Sequence, residues 1–333
     1  VTVLKPLCGA EPQLYVCLRS FCEQTYPSFQ IVFGVRDPGD PAVAIVRQLQ
    51  REYPHRDLEL IIDPSEHGSS LKVSNLINMF RAARYDRLVL ADSDVRVPSD
   101  YLAQVVAPLE EPEVGIVTCA YRGVPCGGPW SLLLATFVNG WFMPSVYVAA
   151  AVGASVFVSG VTIALRRDAL AAAGGFEAIA DQLADDYRLG ELTRAQGLAT
   201  VLSDVIVETA IHESGARELI RHELRWLRTI RAVRPGGYAS AFVTFALPVA
   251  VLGALLAAWT EAALAMLGVT VLARLLLHFD ACRKRAAVLE LWVIPVSDTL
   301  AFILWCWGFL SRRVHWRQAL YRVARDGTVQ PVA

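Results

Sequence analysis

The segment RLVLADSDVRV, residues 87–97, decides the fold. Its apolar run up to Ala91 is too short for a helix and ends abruptly on Asp92, Ser93 and Asp94, which is the pattern of a buried strand leading into a turn. The same rhythm extends to either side: VTVL (1–4), QIVFGV (30–35), LELIID (58–63) and VGIVT (114–118) are further short β-branched runs. Between them, 13–24, 41–52, 72–84 and 98–109 carry helical patterns, the first two with proline at or near the start. Such alternation predicts an α/β fold, a mostly parallel sheet with helices on both faces. Ligands of such sheets bind at the carboxyl ends of the strands, which makes Lys5, Asp37, Asp63 and the pair Asp92 and Asp94 the first residues to inspect.

Composition bounds the function. Of 333 residues 54% are apolar and 19% charged, which excludes disorder and argues for membrane contact. The 31 Lys+Arg and 32 Asp+Glu balance to a net charge of -1, so no global basic field recommends nucleic acid as a partner. The seven cysteines include no CxxC pair and meet no paired histidines, so they read as reduced packing residues rather than a zinc site. Neither GxGxxG nor GxxxxGK[ST] occurs, so a phosphorylated ligand must be neutralised by other means.

The apolar residues are unevenly placed. Segments 242–259 and 262–279 are near the length of a hydrocarbon core, the second interrupted by Arg274 and His278. A third, 286–310, contains Glu290, Pro295 and Asp298 and reads as a span or a broken re-entrant pair. The basic clusters Arg283, Lys284, Arg285 and Arg312, Arg313, Arg317 both favour the cytoplasmic side, which supports the re-entrant alternative. Residues 130–159, apolar but punctuated by Pro144, predict either a slot at the membrane interface or packing beneath the sheet.

Three charged constellations carry the candidate chemistry. Two carboxylates a residue apart, Asp92 and Asp94, offer hard oxygens to Mg2+ or Mn2+, which would bridge to a diphosphate. Asp185 and Asp186 open a helix, where the dipole favours acids and where one of them is also placed to serve as a general base; Asp181 precedes them. Arginines 217, 221, 225, 228, 231 and 234 recur every three or four residues, with Leu219, Leu224 and Leu227 partly opposite. That stripe predicts an interfacial helix facing lipid headgroups, with one or two arginines available to a diphosphate and Trp226 to stack. Just ahead of it, His212 reads as a boundary residue or a phosphate contact, and Glu213 as a first-turn acid.

Taken in order, KPLCG (5–9), GVRDPGDPA (34–42), KVSNL (72–76), DSDVRV (92–97), ADDY (184–187) and HELRW (222–226) resemble the ceramide glucosyltransferases and their bacterial relatives, glycosyltransferases with a D, DxD, D, (Q/R)xxRW pattern. The resemblance runs to a terminal YRVARDGT (321–328), and the wording of FGVRDPGDPA, KVSNLIN and HELRWLRTIR is most similar to the bacterial hopanoid-associated branch. It implies a GT-A-type catalytic domain over 1–210, an interfacial helix over 211–237 and a membrane domain over 238–333, with a further membrane helix normally ahead of the first strand. It gives Asp37 the uridine, Lys5 and Lys72 supporting roles near the nucleotide or diphosphate, and Asp92 and Asp94 the metal and diphosphate. Asp186 becomes the catalytic base, and Arg225 with Trp226 the last motif, where His222 stands in place of the usual Gln or Arg.

The implied activity is inverting transfer of a sugar from a UDP-sugar to the hydroxyl of a membrane lipid, at the cytosolic face of a bacterial inner membrane. The branch implies N-acetylglucosamine and bacteriohopanetetrol; the wider family implies glucose and ceramide. Two other classes compete: nucleotidyl transfer onto a membrane-embedded phosphate, which needs no helix-borne base such as Asp186, and a non-catalytic lipid-binding subunit.

Overall fold

The computed structural model describes residues 1–153, 158–282, 291–311, 313–316, 319–324 and 328–331. Arg283, Lys284, Arg285, Glu290, Arg312 and Arg317 lie outside the described residues. The strands are β1 (Thr2–Pro6), β2 (Gln30–Val35), β3 (Asp57–Ile62), β4 (Arg87–Leu90), β5 (Val95–Arg96), β6 (Val114–Pro125), β7 (Ile163–Arg166), β8 (Ala199–Ile211), β9 (Arg313–Trp316), β10 (Ala319–Val323) and β11 (Val329–Pro331). The helices are α1 (Leu14–Cys22), α2 (Ala42–Glu52), α3 (Leu71–Phe80), α4 (Tyr101–Val106), α5 (Pro129–Phe137), α6 (Met143–Ala151), α7 (Arg167–Ala172), α8 (Asp185–Arg194), α9 (Ala216–Val233), α10 (Pro235–Ser240), α11 (Ala246–Leu256), α12 (Glu261–Cys282) and α13 (Val293–Gly308). The chain divides into two compact units, Val1–Tyr121 with Ser155–Ala210, and Arg122–Ala154 with Ile211–Ala333.

The first unit is the predicted α/β fold. Strands β1 to β4 and the helices between them fall where the hydrophobic rhythm places them, and β3-β2-β1-β4 pair in parallel. Beyond β4 the sheet continues through β7, β6, β8 and β5, and the β4-β7, β7-β6 and β8-β5 pairs are antiparallel. The antiparallel half was hidden in the sequence because β7 is only four residues long and β8 alternates exposed and buried positions without a long apolar run. Leu4, Val32, Leu88, Leu90, Ile116 and Leu165 from the strands close over Val73, Leu76 and Met79 of α3 and over Leu189 of α8. That packing sets α3 and α8, which carry charged residues in their first turns, against the strand ends.

The second unit is helical and apolar. Two of its helices are long and apolar enough to cross a membrane, the 23-residue Pro129–Ala151 and the 20-residue Glu261–Asp280 within α12. The predicted segment 262–279 lies inside α12, whose Met266, Val269, Leu272 and Leu276 are exposed as lipid-facing residues would be. Segment 242–259 falls on a bent pair of helices, Pro235–Thr244 and Ala246–Leu256, which are bent by 66° and together are long and apolar enough to count as one broken span. Phe245 leaves the helical region there (φ -82, ψ 62), and Pro248 in the first turn of α11 cannot donate a backbone bond across the break. Of 286–310, residues 291–310 are described, and their helix is α13, 16 residues long.

The segment 130–159 was expected to be an interfacial slot or to pack beneath the sheet; its larger part is a helix long enough to span. A turn of π-helix at Val138–Phe142 joins α5 to α6, and Pro144 sits in the first turn after it. The widened turn accommodates the proline's missing donor, so the punctuation does not end the helix.

Arg274 and Asp298, charges that interrupt the apolar segments, are partners. The guanidinium of Arg274 in α12 donates to both carboxylate oxygens of Asp298 in α13, at 2.7 and 2.6 Å, and to the Gly140 carbonyl in the π-turn at 2.6 Å. Both side chains are buried, so a cost that neither could bear alone is offset by the bidentate pair. A Cβ at Gly140 would lie 3.1 Å from Arg274 Nη2, so glycine permits this close approach.

Candidate active site

The turn after β4 is held from several sides. Lys5 at the end of β1 is fully buried, its ammonium 4.0 Å from the centre of the Phe21 ring, and it donates to the Asp92 carbonyl. The Asp94 carbonyl accepts from the Cys17 thiol at 3.2 Å and from the Ala210 amide at 2.9 Å. With backbone and β5 so anchored, the two aspartate side chains are left for the cleft. Burial lowers the Lys5 ammonium to about 8, against the opposing pull of Cys17, Asp94 and Asp92.

Helix α3 delivers Lys72. Ser70 caps it, accepting from the Val73 amide at 3.3 Å, and its own amide donates to the Ala180 carbonyl at 2.8 Å. Asp181 accepts from both the amide and the hydroxyl of Ser69 at 2.8 Å, and a Cβ on Gly68 would meet the Ala180 carbonyl at 2.6 Å, so this loop lies tight against 180–181. Asn75 ties the helix to β2 through the Gly34 carbonyl at 2.8 Å. Lys72 then reaches Asp92 at 2.7 Å and Asp185 at 3.7 Å. Burial works against its charge, but Asp185, Asp92 and Asp186 outweigh it and hold the ammonium above its ordinary range.

Helix α8 delivers the acids. Asp186 accepts from the Tyr187 amide at 2.7 Å and from the Gly160 amide at 3.0 Å. The loop bearing Gly160 is fixed by Thr118, whose hydroxyl bonds the Ser159 amide at 3.0 Å and the Thr162 carbonyl at 2.8 Å. Burial, and then the charge of Asp185, push the Asp186 carboxyl up to about 6, while Lys72 and the two amides act in the opposite direction. A Cβ on Gly160 would stand 3.2 Å from Lys72 Nζ, 3.3 Å from Asp92 Oδ2 and 3.6 Å from Asp186 Oδ2, so this glycine forms the floor between cation, strand-end acid and helix acid. Pro6, Leu76, Leu90 and Ile163 supply apolar walls to the same pocket.

Asp94 carries the sharpest electrostatic signature. Burial, then Asp92, then Glu11 push its carboxyl up to about 7, an excess of negative charge that a divalent cation would relieve. Asp92 and Asp94 therefore fit a hard metal ion. Among the described residues no group of three or more acids, histidines or cysteines is disposed to hold one alone, so water and phosphate oxygens would complete the shell, as is usual for Mg2+.

Lys5, Lys72, Asp92, Asp94 and Asp186 are thus brought together from positions far apart in the chain. Asp37 stands on the exposed loop after β2, where its carboxylate accepts from the Gly39 amide at 2.8 Å. Tyr121 of β6 was missed: it is buried, and its phenol is held above the ordinary range by burial first and then by the charges of Asp186, Asp94 and Asp92. Only the sheet's curl shows that a tyrosine in this strand faces those acids.

In the second unit, His222, Arg225 and Trp226 lie on α9, which also carries Arg217, Arg221, Arg228 and Arg231 and buries Leu219, Leu224 and Leu227 as the pattern predicts, whereas Arg234 falls just past its end. Trp226 meets His222 edge-on at 4.5 Å and stacks on Phe142 at 6.0 Å. Arg231 has a structural task, donating to the Gly308 carbonyl at 2.7 Å at the end of α13. His212 is exposed. Glu213 is not a first-turn acid: it precedes the helix, is buried, and bonds His222 Nδ1 at 2.7 Å, the first-turn acid being Glu218.

Comparison with known proteins gives these geometries a family. The ceramide glucosyltransferase of Komagataella phaffii is 35% identical over 113 residues, 33% of this chain and 22% of that protein. Ceramide glucosyltransferase 1 of Caenorhabditis elegans is 27% identical over 207 residues, 61% of this chain and 44% of that protein. The matches thus span less than half the length of these curated relatives. Among solved structures, mannosyltransferase PcManGT from Pyrobaculum calidifontis, in complex with GDP-Man and Mn2+, has the same fold, with a TM-score of 0.53 and 23% identity over 92% of this chain and 86% of that one. The profile described as glycosyl transferase family 21 matches residues 1–329, nearly the whole sequence, and the chain belongs to that family.

Proposed function

We propose that the protein is an inverting glycosyltransferase that moves a sugar from a UDP-sugar to the hydroxyl of a membrane lipid. The observation that carries this reading is the position of Asp186, a carboxylate raised to about 6 at a helix start, held by two backbone amides beside Lys72 and the strand-end acid Asp92. A base that titrates near neutrality is what deprotonating an acceptor hydroxyl requires, and neither nucleotidyl transfer nor passive binding has a use for it.

In the proposed reaction Asp186 takes the proton of the acceptor hydroxyl as that oxygen attacks the anomeric carbon, through an oxocarbenium-like state. Lys5 and Lys72 support the nucleotide and diphosphate, and Asp37 holds the uridine. Asp92 and Asp94 would hold Mg2+ or Mn2+, which when bound offsets charge on the departing diphosphate. His222, Arg225 and Trp226 carry the diphosphate role that their motif assigns. The apolar helices would seat the lipid acceptor in the bilayer of a bacterial inner membrane, with the catalytic unit in the cytosol.

The wording of the motifs favours N-acetylglucosamine transfer to a hopanoid such as bacteriohopanetetrol. The similarity to ceramide glucosyltransferases favours glucose and ceramide. Protein in lipid nanodiscs, given each UDP-sugar with each lipid and Mg2+ or Mn2+, should yield one glycolipid by mass spectrometry together with UDP. Release of pyrophosphate, or no sugar reaching lipid from any donor, would overturn the reading.

A further inference from the structure

We propose that Glu11 is a positioning residue for the cation site: from outside the coordination shell it holds the turn between Asp92 and Asp94 and adds a third negative charge to theirs. This rests on the metal role given above to those two aspartates.

Helix α1 lies along the chain that follows β4 and is bonded to it at several points. The Cys17 thiol donates to the Asp94 carbonyl at 3.2 Å, and the Ser20 hydroxyl accepts from the Val97 amide at 3.2 Å. Just past the helix, the Gln24 side chain donates to the Pro98 carbonyl at 2.7 Å and accepts from the Leu102 amide at 3.0 Å. The series begins ahead of α1 with Glu11, whose Oε2 accepts from the Ser93 hydroxyl at 3.1 Å. Ser93 is the residue between the two aspartates, so this contact falls on the turn that carries them. The backbone is shaped to bring Glu11 there. Gly9 (φ 78) and Gln13 (φ 71) on either side of it are both left-handed, and the glutamine adopts that conformation at a steric cost. The loop is pinned at both flanks: the Gly9 amide donates to the two carboxylate oxygens of Asp40 at 3.1 and 2.9 Å, and the Leu14 amide donates to the Glu11 carbonyl at 3.0 Å.

The bond to Ser93 does not itself require an acid, since an amide oxygen would accept from that hydroxyl as well. What a carboxylate adds is charge. That charge reaches the site, because Glu11 follows burial and Asp92 among the causes that push the Asp94 carboxyl up. Among the described residues no third acid is disposed to join Asp92 and Asp94 as a ligand, which places Glu11 outside the shell. Groups in that position orient the ligands and tune the ion, and their loss typically lowers metal affinity by about 10–100-fold.

The test is Mn2+ binding without turnover. Protein in lipid nanodiscs with UDP is titrated with Mn2+, and the free ion is counted by its electron paramagnetic resonance signal. Glu11→Gln keeps an acceptor for Ser93, so a residue with only a structural task would tolerate it. It should instead raise the Mn2+ dissociation constant about tenfold, with the thermal midpoint in metal-free buffer unchanged because the side chain is exposed. In a Ser93→Ala background the same substitution should cost less than about threefold, since the carboxylate is no longer held over the turn. Native Mn2+ affinity in Glu11→Gln would overturn the proposal, and so would an equal cost in the two backgrounds. If the native protein takes up no Mn2+, the metal role of Asp92 and Asp94 falls and that of Glu11 with it; if it does and Glu11→Gln binds equally well, Glu11 alone falls.

Discussion

The ammonium of Lys72 stands 2.7 Å from Asp92 Oδ1, joining the first turn of α3 to the turn after β4, two elements separated in the chain by the whole of that helix and strand. The same cation lies 3.7 Å from Asp185, next to the proposed base. Lys72 thus links the strand-end acid to the acids of α8.

Lys72→Met should lower kcat by roughly 10²–10³-fold, the range seen when one preorganised electrostatic group is lost. Because Lys72 lowers the Asp186 carboxyl, its removal should also shift the acidic limb of the kcat/KM profile to higher pH. A profile that keeps its acidic limb in place would show that Lys72 does not act on the base.

In the native protein the proposed base, Asp186, must be ionised to work. With Asp186 titrating near 6, kcat/KM should be constant above that value and fall about tenfold per pH unit below it. Asp186→Asn should abolish transfer while UDP binding, measured by calorimetry, is retained. Full transfer by that variant would remove Asp186 from the chemistry.

Gly160→Ala places a methyl 3.2 Å from Lys72 Nζ and 3.3 Å from Asp92 Oδ2. Crowding of the cleft floor should reduce kcat/KM by at least about tenfold, since small displacements of reacting groups are costly. The thermal midpoint should change little, because the side chains that must give way end in the open cleft. Activity equal to native would indicate that this floor is not used.

Arg274→Ala strands the Asp298 carboxylate among apolar helices and should destabilise the protein by about 3–5 kcal/mol, read from unfolding in detergent. The double substitution Arg274→Met with Asp298→Leu should recover most of that loss, because it removes both charges at similar volume. A double variant no more stable than Arg274→Ala would mean that the pair organises something beyond its own neutralisation.

How much of this was legible depends on the distance over which each signal acts. Strands β1 to β4 were readable because a buried strand needs a short β-branched run and each lay between helical patterns. β7 and β8 were not, since their pairing is made by partners distant in sequence. The helix at Pro129–Ala151 was obscured by Pro144, whose cost depends on whether the preceding turn widens. In segment 242–259 composition showed the apolar character but not the bend at Phe245, which depends on the local backbone.

The sequence by itself determined the α/β character of the first unit, the apolar character of the second, the arginine stripe of α9 and the residue types of the cleft. These follow from periodicity, propensity and motif, all of which act within a few residues. Partnership was decided by the tertiary structure alone: Lys72 with Asp92, Arg274 with Asp298, Glu213 with His222, and Tyr121 beside the acids. Charge and hydrogen bonding depend on distances of a few ångströms, and only the packing of helices against the sheet and against each other sets those distances.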